Sequence, residues 1–284
     1  MLYYFYLFGR RLVLRTPIEV CYKVAVFLAD IYYRFARVDK INLRYNLRIV
    51  LPGECEKNIE DHIKNVFRNF AKYLIDFLNF SKVNKEFIAK YVILEGRENL
   101  DKTMAHGKGT IFLTAHIGNW ELGGAVVATL GYPFYAIALS HKDKRINDFF
   151  LEQRAACGEK VIPIGAQLRS CFKVLKNNGT LAVVGDRDFS NHGVPAVFFG
   201  KPTILPKGAA VFSLRTLAPI VPTFVIRTKD DKFRMYFLDP IYPKRTDNEE
   251  LDIKLVMENY IAVMEKFIRQ HPDQWYAYRK VWSE

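Results

Sequence analysis

Residues 110–130 read TIFLTAHIGNWELGGAVVATL. An apolar, β-branched run closes at Ala115, and a helical pattern opens a few residues later at Trp120. This is a strand handing over to a helix, with His116 in the turn between them. Open α/β sheets place their ligands beyond the carboxyl ends of strands, where such a turn sits. The same alternation continues outward. Strand-like runs are YVIL (91–94), FYAIAL (134–139), KVIPI (160–164), TLAVVG (180–185), PIVPTFVIR around Val221 and FRMYFL around Tyr236. Helical patterns fall near 59–80, 120–130, 144–157, 167–177, 207–218 and 248–269. The pattern predicts an α/β fold with a largely parallel central sheet flanked by helices.

The first 50 residues differ in kind. They hold nine Lys/Arg against three acids, half of the chain's formal net charge of +12. Over residues 17–37 the charges Glu19, Lys23, Asp30, Arg34 and Arg37 recur at helical spacing on one stripe, with Pro17 suited to the first turn. The rest of the segment, including Phe27, Leu28, Ile31 and Phe35, makes a wide apolar face. A wide apolar face with basic flanks describes an amphipathic helix lying on an anionic membrane surface. A core helix with a solvated polar stripe would share the periodicity. No stretch offers the roughly 18 uncharged apolar residues of a membrane span. The opening MLYYFYLFGRRLVLRTP lacks the basic start and small-residue site of a removable signal. The expected partition is a membrane-association region at 1–50 and one catalytic domain at 51–284. The four cysteines show neither C-x-x-C spacing nor a Cys/His cluster, which is the pattern of ordinary reduced thiols.

Chemistry centres on His116. Glu121 follows five positions later, in the first turn of the expected helix, where a carboxylate can reach back to an imidazole nitrogen and leave the other as a base. No serine or cysteine nucleophile is required, because the attacking hydroxyl can come from a substrate. Spacing alone carries little, since 6 His and 30 acids yield roughly one His-x4-acid pair in every two such chains by chance.

FLTAHIGNWELGG (112–124), VVGDRDFSNHGVPAVFFGKPTILPKGAA (183–210) and HPDQWYAYRKVW (271–282) together resemble, in order, the signature blocks of the lipid A late acyltransferase family. The first is also similar, more distantly, to the His-x4-Asp/Glu motif of glycerolipid acyltransferases. The resemblance implies acyl transfer from an acyl thioester (acyl carrier protein or coenzyme A) to a glycolipid hydroxyl, with no cofactor and no metal. It implies His116 as general base with Glu121 as its acidic partner, and Arg154 near the acyl donor. Asp186, Arg187 and Asp188 match a strand-end block that contacts substrate, while Gly193, Phe198, Phe199 and Gly200 match the wall of the acyl groove. Arg154, Arg187 or backbone N–H groups after Gly118 are the expected oxyanion donors. A lipid A precursor is the expected acceptor, with Arg187, Lys201 and Lys207 as phosphate clamps. The expected location is peripheral, on the cytoplasmic face of a bacterial inner membrane. Asp186-Arg187-Asp188 is shared with phosphatidylinositol mannoside acyltransferases, and AYRKVW departs from the Trp and His-Arg-Arg of many lipid A enzymes, so these two features leave the acceptor open. The missing NHxxxxD block argues against a glycerophospholipid acceptor. A non-catalytic membrane or nucleic-acid-binding protein is the rival class. No Lys/Arg run interleaved with aromatics supports nucleic acid.

Overall fold

The computed structural model describes residues 2–164, 168–189 and 192–282. Four helices lead: α1 (Leu2–Arg15), α2 (Ile18–Phe35), α3 (Arg37–Val50) and α4 (Glu56–Leu78). The expected single helix over 17–37 breaks at Ala36, whose ψ of 60° leaves the helical range, and α3 continues in a new direction. Then come α5 (Lys85–Tyr91), β1 (Val92–Glu95), α6 (Arg97–Ala105), β2 (Thr110–Thr114), α7 (Trp120–Thr129), β3 (Phe134–Ala138), α8 (Lys144–Ala155) and β4 (Lys160–Pro163). The chain closes with α9 (Leu168–Lys176), β5 (Thr180–Val184), β6 (Val194–Phe198), β7 (Lys201–Leu205), α10 (Gly208–Thr216), β8 (Ile220–Arg227), β9 (Phe233–Phe237) and α11 (Glu249–Gln270). The expected start of α9 at Gln167 lies outside the described residues.

The central sheet runs β1-β9-β8-β2-β5-β3-β4. Every adjacent pair is parallel except β8 with β9. Strand alternation builds a core on each face. In β2, Ile111 and Leu113 join the core that α9, α10 and α11 cover. Phe112, between them, points to the opposite core beside Leu122 and Val126 of α7 and Phe149 of α8. A third cluster joins Ala29, Leu43 and Leu47 of α2 and α3 to Ile59, Ile63 and Phe67 of α4. Strands β6 and β7 form a separate antiparallel hairpin. Sequence periodicity predicts no strands here; of these residues only Phe198, as groove wall, and Lys201, as a phosphate clamp, are expected to matter.

Candidate active site

The parallel pairing of β2 with β5 places Thr114 beside Val184. Two residues beyond each partner lie His116 and Asp186, so neighbouring strand ends deliver them to the same point. His116 Nδ1 meets Asp186 Oδ1 at 2.7 Å. The imidazole side chain is 19% exposed, whereas the carboxylate is fully buried. Asp186 Oδ2 accepts from the indole Nε1 of Trp275 at 3.0 Å. Burial pushes the Asp186 carboxyl up. The neighbouring His116 outweighs it, with Arg187 and the Trp275 donor adding to the effect, and the carboxyl is held well below the usual range. Asp186 is therefore an anion that orients the ring. Trp120 and Phe189 flank the imidazole edge-on, with centroids 5.2 and 5.9 Å away.

The expected hydrogen bond from the His116 ring to Glu121 is replaced by another. Glu121 sits in the first turn of α7, but both its oxygens are engaged by Arg154 of α8, Oε2 by Nε at 2.9 Å and Oε1 by Nη2 at 2.6 Å. The side chains are only 10% and 12% exposed. A bidentate Arg–carboxylate pair in such burial fixes α7 against α8. Arg154, expected near the donor, is thus committed to Glu121, with the Phe77 and Phe150 rings about 6 Å from its guanidinium. Deeper still, Glu159 is 5% exposed and its Oε1 has no partner among the described residues. Burial, reinforced by the Glu121 carboxylate and opposed by Arg154, raises its carboxyl well above the usual range.

The turn after His116 has its amides committed. Ile117 N donates to Ala115 O at 2.7 Å, Gly118 N to Gln274 O at 2.9 Å and Asn119 N to Val225 O at 2.8 Å. Of the backbone donors after Gly118 expected for an oxyanion, Asn119 N is thus already used. Gly118 has φ of +60°, and an added Cβ would lie 1.9 Å from Val225 O, so only glycine fits here. Asn119 caps α7 by accepting from Leu122 N at 3.0 Å.

The C-terminal strap, residues 271–282, threads through this assembly. Gln274 Oε1 accepts from Arg227 N and Gln274 Nε2 donates to Arg227 O, each at 2.9 Å. Tyr276 N donates to His116 O at 2.9 Å. Arg187 Nη2 donates to Tyr276 O, while its Nε, 3.9 Å from Asp186 Oδ2, has no hydrogen-bond partner among the described residues. Burial depresses the Arg187 guanidinium despite Asp186. Asp188 Oδ2 accepts from Gly193 N at 2.7 Å, just before β6. Phe198 and Phe199 pack on Trp275 and Trp282 in the core. Sequence reasoning treated HPDQW only as a resemblance. The Trp275 indole holds Asp186, and the Gln274 carbonyl and Tyr276 amide hold the His116 turn.

A strand-end histidine backed by a buried aspartate is an arrangement suited to taking a proton from a substrate hydroxyl. The comparisons name the family. The profile of the bacterial lipid A biosynthesis acyltransferases matches residues 1–284. The chain belongs to this family and is an acyltransferase. It is 24% identical over 221 residues to a phosphatidylinositol mannoside acyltransferase of Mycobacterium tuberculosis, covering 75% of this chain and 68% of that one. With the protein of that name from Mycolicibacterium smegmatis it shares 24% identity over 284 residues, 98% and 90% of the two chains. With the lipid A biosynthesis palmitoleoyltransferase of Escherichia coli it shares 24% over 245 residues, 82% and 74%.

Proposed function

We propose that the protein moves an acyl chain from the thioester of acyl carrier protein or coenzyme A to a hydroxyl of a membrane glycolipid, with His116 as base. The observation that carries this reading is the 2.7 Å contact between His116 Nδ1 and Asp186. With Nδ1–H directed at the carboxylate, Nε2 is left to take the acceptor proton, and Asp186 stabilises the imidazolium that forms. The oxygen attacks the thioester carbonyl, the C–S bond breaks, and the proton returns to the leaving thiolate. Arg187, with an uncommitted Nε beside Asp186, is the cation proposed for the oxyanion. Arg154 and Glu121 act as a pair that fixes α7, and Asp188 holds Gly193, which matches the groove wall. General base catalysis of this kind contributes about 10²–10⁴-fold.

Residues 1–50 supply membrane association on this reading, and residues 51–284 the catalysis. Among the described residues, 14 of 25 exposed large hydrophobic side chains lie between Leu2 and Ile41, a density that suits a lipid surface. No described helix is long and apolar enough to cross a membrane, so attachment would be peripheral, on the cytoplasmic leaflet of an inner membrane. A phosphate-bearing lipid A precursor is the acceptor that the basic balance and the HIGNWELGG block favour. A mannosylated phosphoinositide is the second reading, and two of the relatives above, one matched over 98% of this chain, carry that name. Incubating purified protein with radiolabelled palmitoyl thioester and each acceptor separates them by product mobility. Labelled lipid A precursor is expected. Label in the mannosylated lipid alone moves the acceptor to the second reading, and label in neither sinks acyl transfer to a glycolipid.

A further inference from the structure

Helix α2 has two unlike sides. Val24, Phe27 and Ile31 are exposed, whereas Tyr22 is only 8% exposed. The Tyr22 hydroxyl donates to Asp76 Oδ1 on α4. Asp76 is itself 7% exposed, and its Oδ2 accepts from Asn119 Nδ2 at 2.7 Å and from the Arg227 guanidinium at the end of β8. That guanidinium lies between two rings, 4.8 Å from the centroid of Tyr22 and 4.7 Å from that of Phe233. One buried carboxylate therefore bonds side chains from α2, from the cap of α7 and from β8.

Simple packing needs none of this. Burying an ion pair costs several kcal/mol per ion unless every lone pair is used, and apolar residues of the same size would hold α2 to α4 at least as well. What a polar network of this kind adds is a defined geometry. Here the geometry it defines ends at Asn119, three residues from His116 and the cap that starts α7. Burial, and then Asp76, raise the Tyr22 phenol beyond any working pH, so it stays a donor.

We propose that Asp76 is a positioning residue that ties the seating of α2 to the conformation of the His116 turn, so that the helix facing lipid sets the catalytic base. The proposal rests on the reading of α2 as lipid-facing and of His116 as the base. It gives the enzyme a reason to turn over only where its acceptor lies.

The test uses the full chain and three variants. Tyr22→Phe removes one hydroxyl and keeps the ring, Asp76→Asn keeps the shape, and Tyr132→Phe removes a comparable tyrosine–carboxylate bond, to Asp101, as a control. Hydrogen exchange of the 116–122 amides is followed with and without phosphatidylglycerol–phosphatidylethanolamine vesicles, and hydrolysis of palmitoyl-CoA gives kcat and KM. Vesicles should slow exchange in that turn for the native chain and for Tyr132→Phe, and leave it unchanged in Tyr22→Phe and Asp76→Asn. For Tyr22→Phe, kcat should fall about tenfold with KM and the thermal midpoint nearly constant, as expected when a base is misplaced and binding is not. An exchange response in Tyr22→Phe equal to the native one overturns the proposal. So does a kcat loss that only follows a lowered midpoint, or a native turn that ignores bound vesicles. A chain inert toward palmitoyl-CoA would instead count against coenzyme A as the donor, while exchange still decides this proposal.

Discussion

A 2.7 Å hydrogen bond to His116 belongs to Asp186, 70 positions away in sequence, and the acid five positions away belongs to Arg154. His116 was legible as the candidate base because it follows an apolar strand. Its partner was not, because only the strand order brings residue 186 beside residue 116, and nothing local encodes that β5 neighbours β2. The two acids should fail differently. Asp186→Asn should keep the fold and lose about 10³–10⁴-fold in kcat, the scale seen when a histidine loses its orienting anion. Glu121→Gln should leave Arg154 buried without its counter-charge and cost about 3–5 kcal/mol of stability, visible as a lowered thermal midpoint. Near-native turnover in folded Asp186→Asn would return the orienting role to Glu121. Glu159 makes a separate point about pH. Its carboxyl is raised by burial and by Glu121, so the native state holds a proton that the unfolded chain releases above about pH 4.3. Stability is thus intact below that pH and erodes as pH climbs toward the raised folded value. Glu159→Gln, which needs no proton, should gain in thermal midpoint over the native chain at pH 8 and lose that advantage at pH 4. A difference that does not change with pH would show that Glu159 is not protonated in the fold.

At the scale of elements, the sheet followed from runs such as TIFLT and TLAVV, where apolar residues facing two cores leave no ambiguity. The β6–β7 hairpin did not, since Val197 and Ile204 face outward and no alternation marks a core side. Helix α3 escaped because RVDKINLRYNLRIV is polar on much of its surface and fully buries Leu43, Asn46, Leu47 and Val50 alone. The strap was invisible as structure. Residues 275–282 form neither helix nor strand, and their role is set by partners. Asn46 Nδ2 donates to Ala277 O and Arg279 O at 2.8 and 2.7 Å. Gln274 is the member whose loss should be felt furthest. Gln274→Ala leaves Arg227 N and Arg227 O without partners in a buried strand end, at about 1–3 kcal/mol for each group. The His116 turn would loosen with it, because Gly118 N bonds the same segment. Thermal melting should show the stability loss, and kcat should fall more than the folded fraction does. Unchanged melting would mean that water replaces the glutamine.

Taken whole, the molecule packs helices rich in exposed apolar side chains against the sheet, with Tyr6 and Leu7 of α1 on one of its cores and Val50 of α3 in the other. Deleting residues 1–37 would seem the direct test of membrane binding. It would also remove Tyr22 from Asp76 and Ala29 from the α4 cluster, so lost binding could not be told from lost folding. Substitution on the outer face avoids this. Phe5, Phe8, Phe27 and Phe35 are 66%, 61%, 65% and 76% exposed, so replacing all four with Ser removes little packing and should leave the thermal midpoint nearly constant. If these rings sit in lipid, each contributes about 1 kcal/mol of partial burial, and together they should weaken vesicle binding on the order of 10²–10³-fold. Charge should matter less than the basic count implies. Arg44 and Arg48 are held by Glu56 and Glu60 and Arg10 faces Glu152, so those cations are partly spent within the protein. Raising salt from roughly 50 to about 500 mM shortens the Debye length and should loosen binding to anionic vesicles by less than the four substitutions do. Flotation with vesicles reads both effects. Four serines that leave flotation untouched would place the lipid contact elsewhere on the chain, and a salt effect larger than theirs would make the face an electrostatic one.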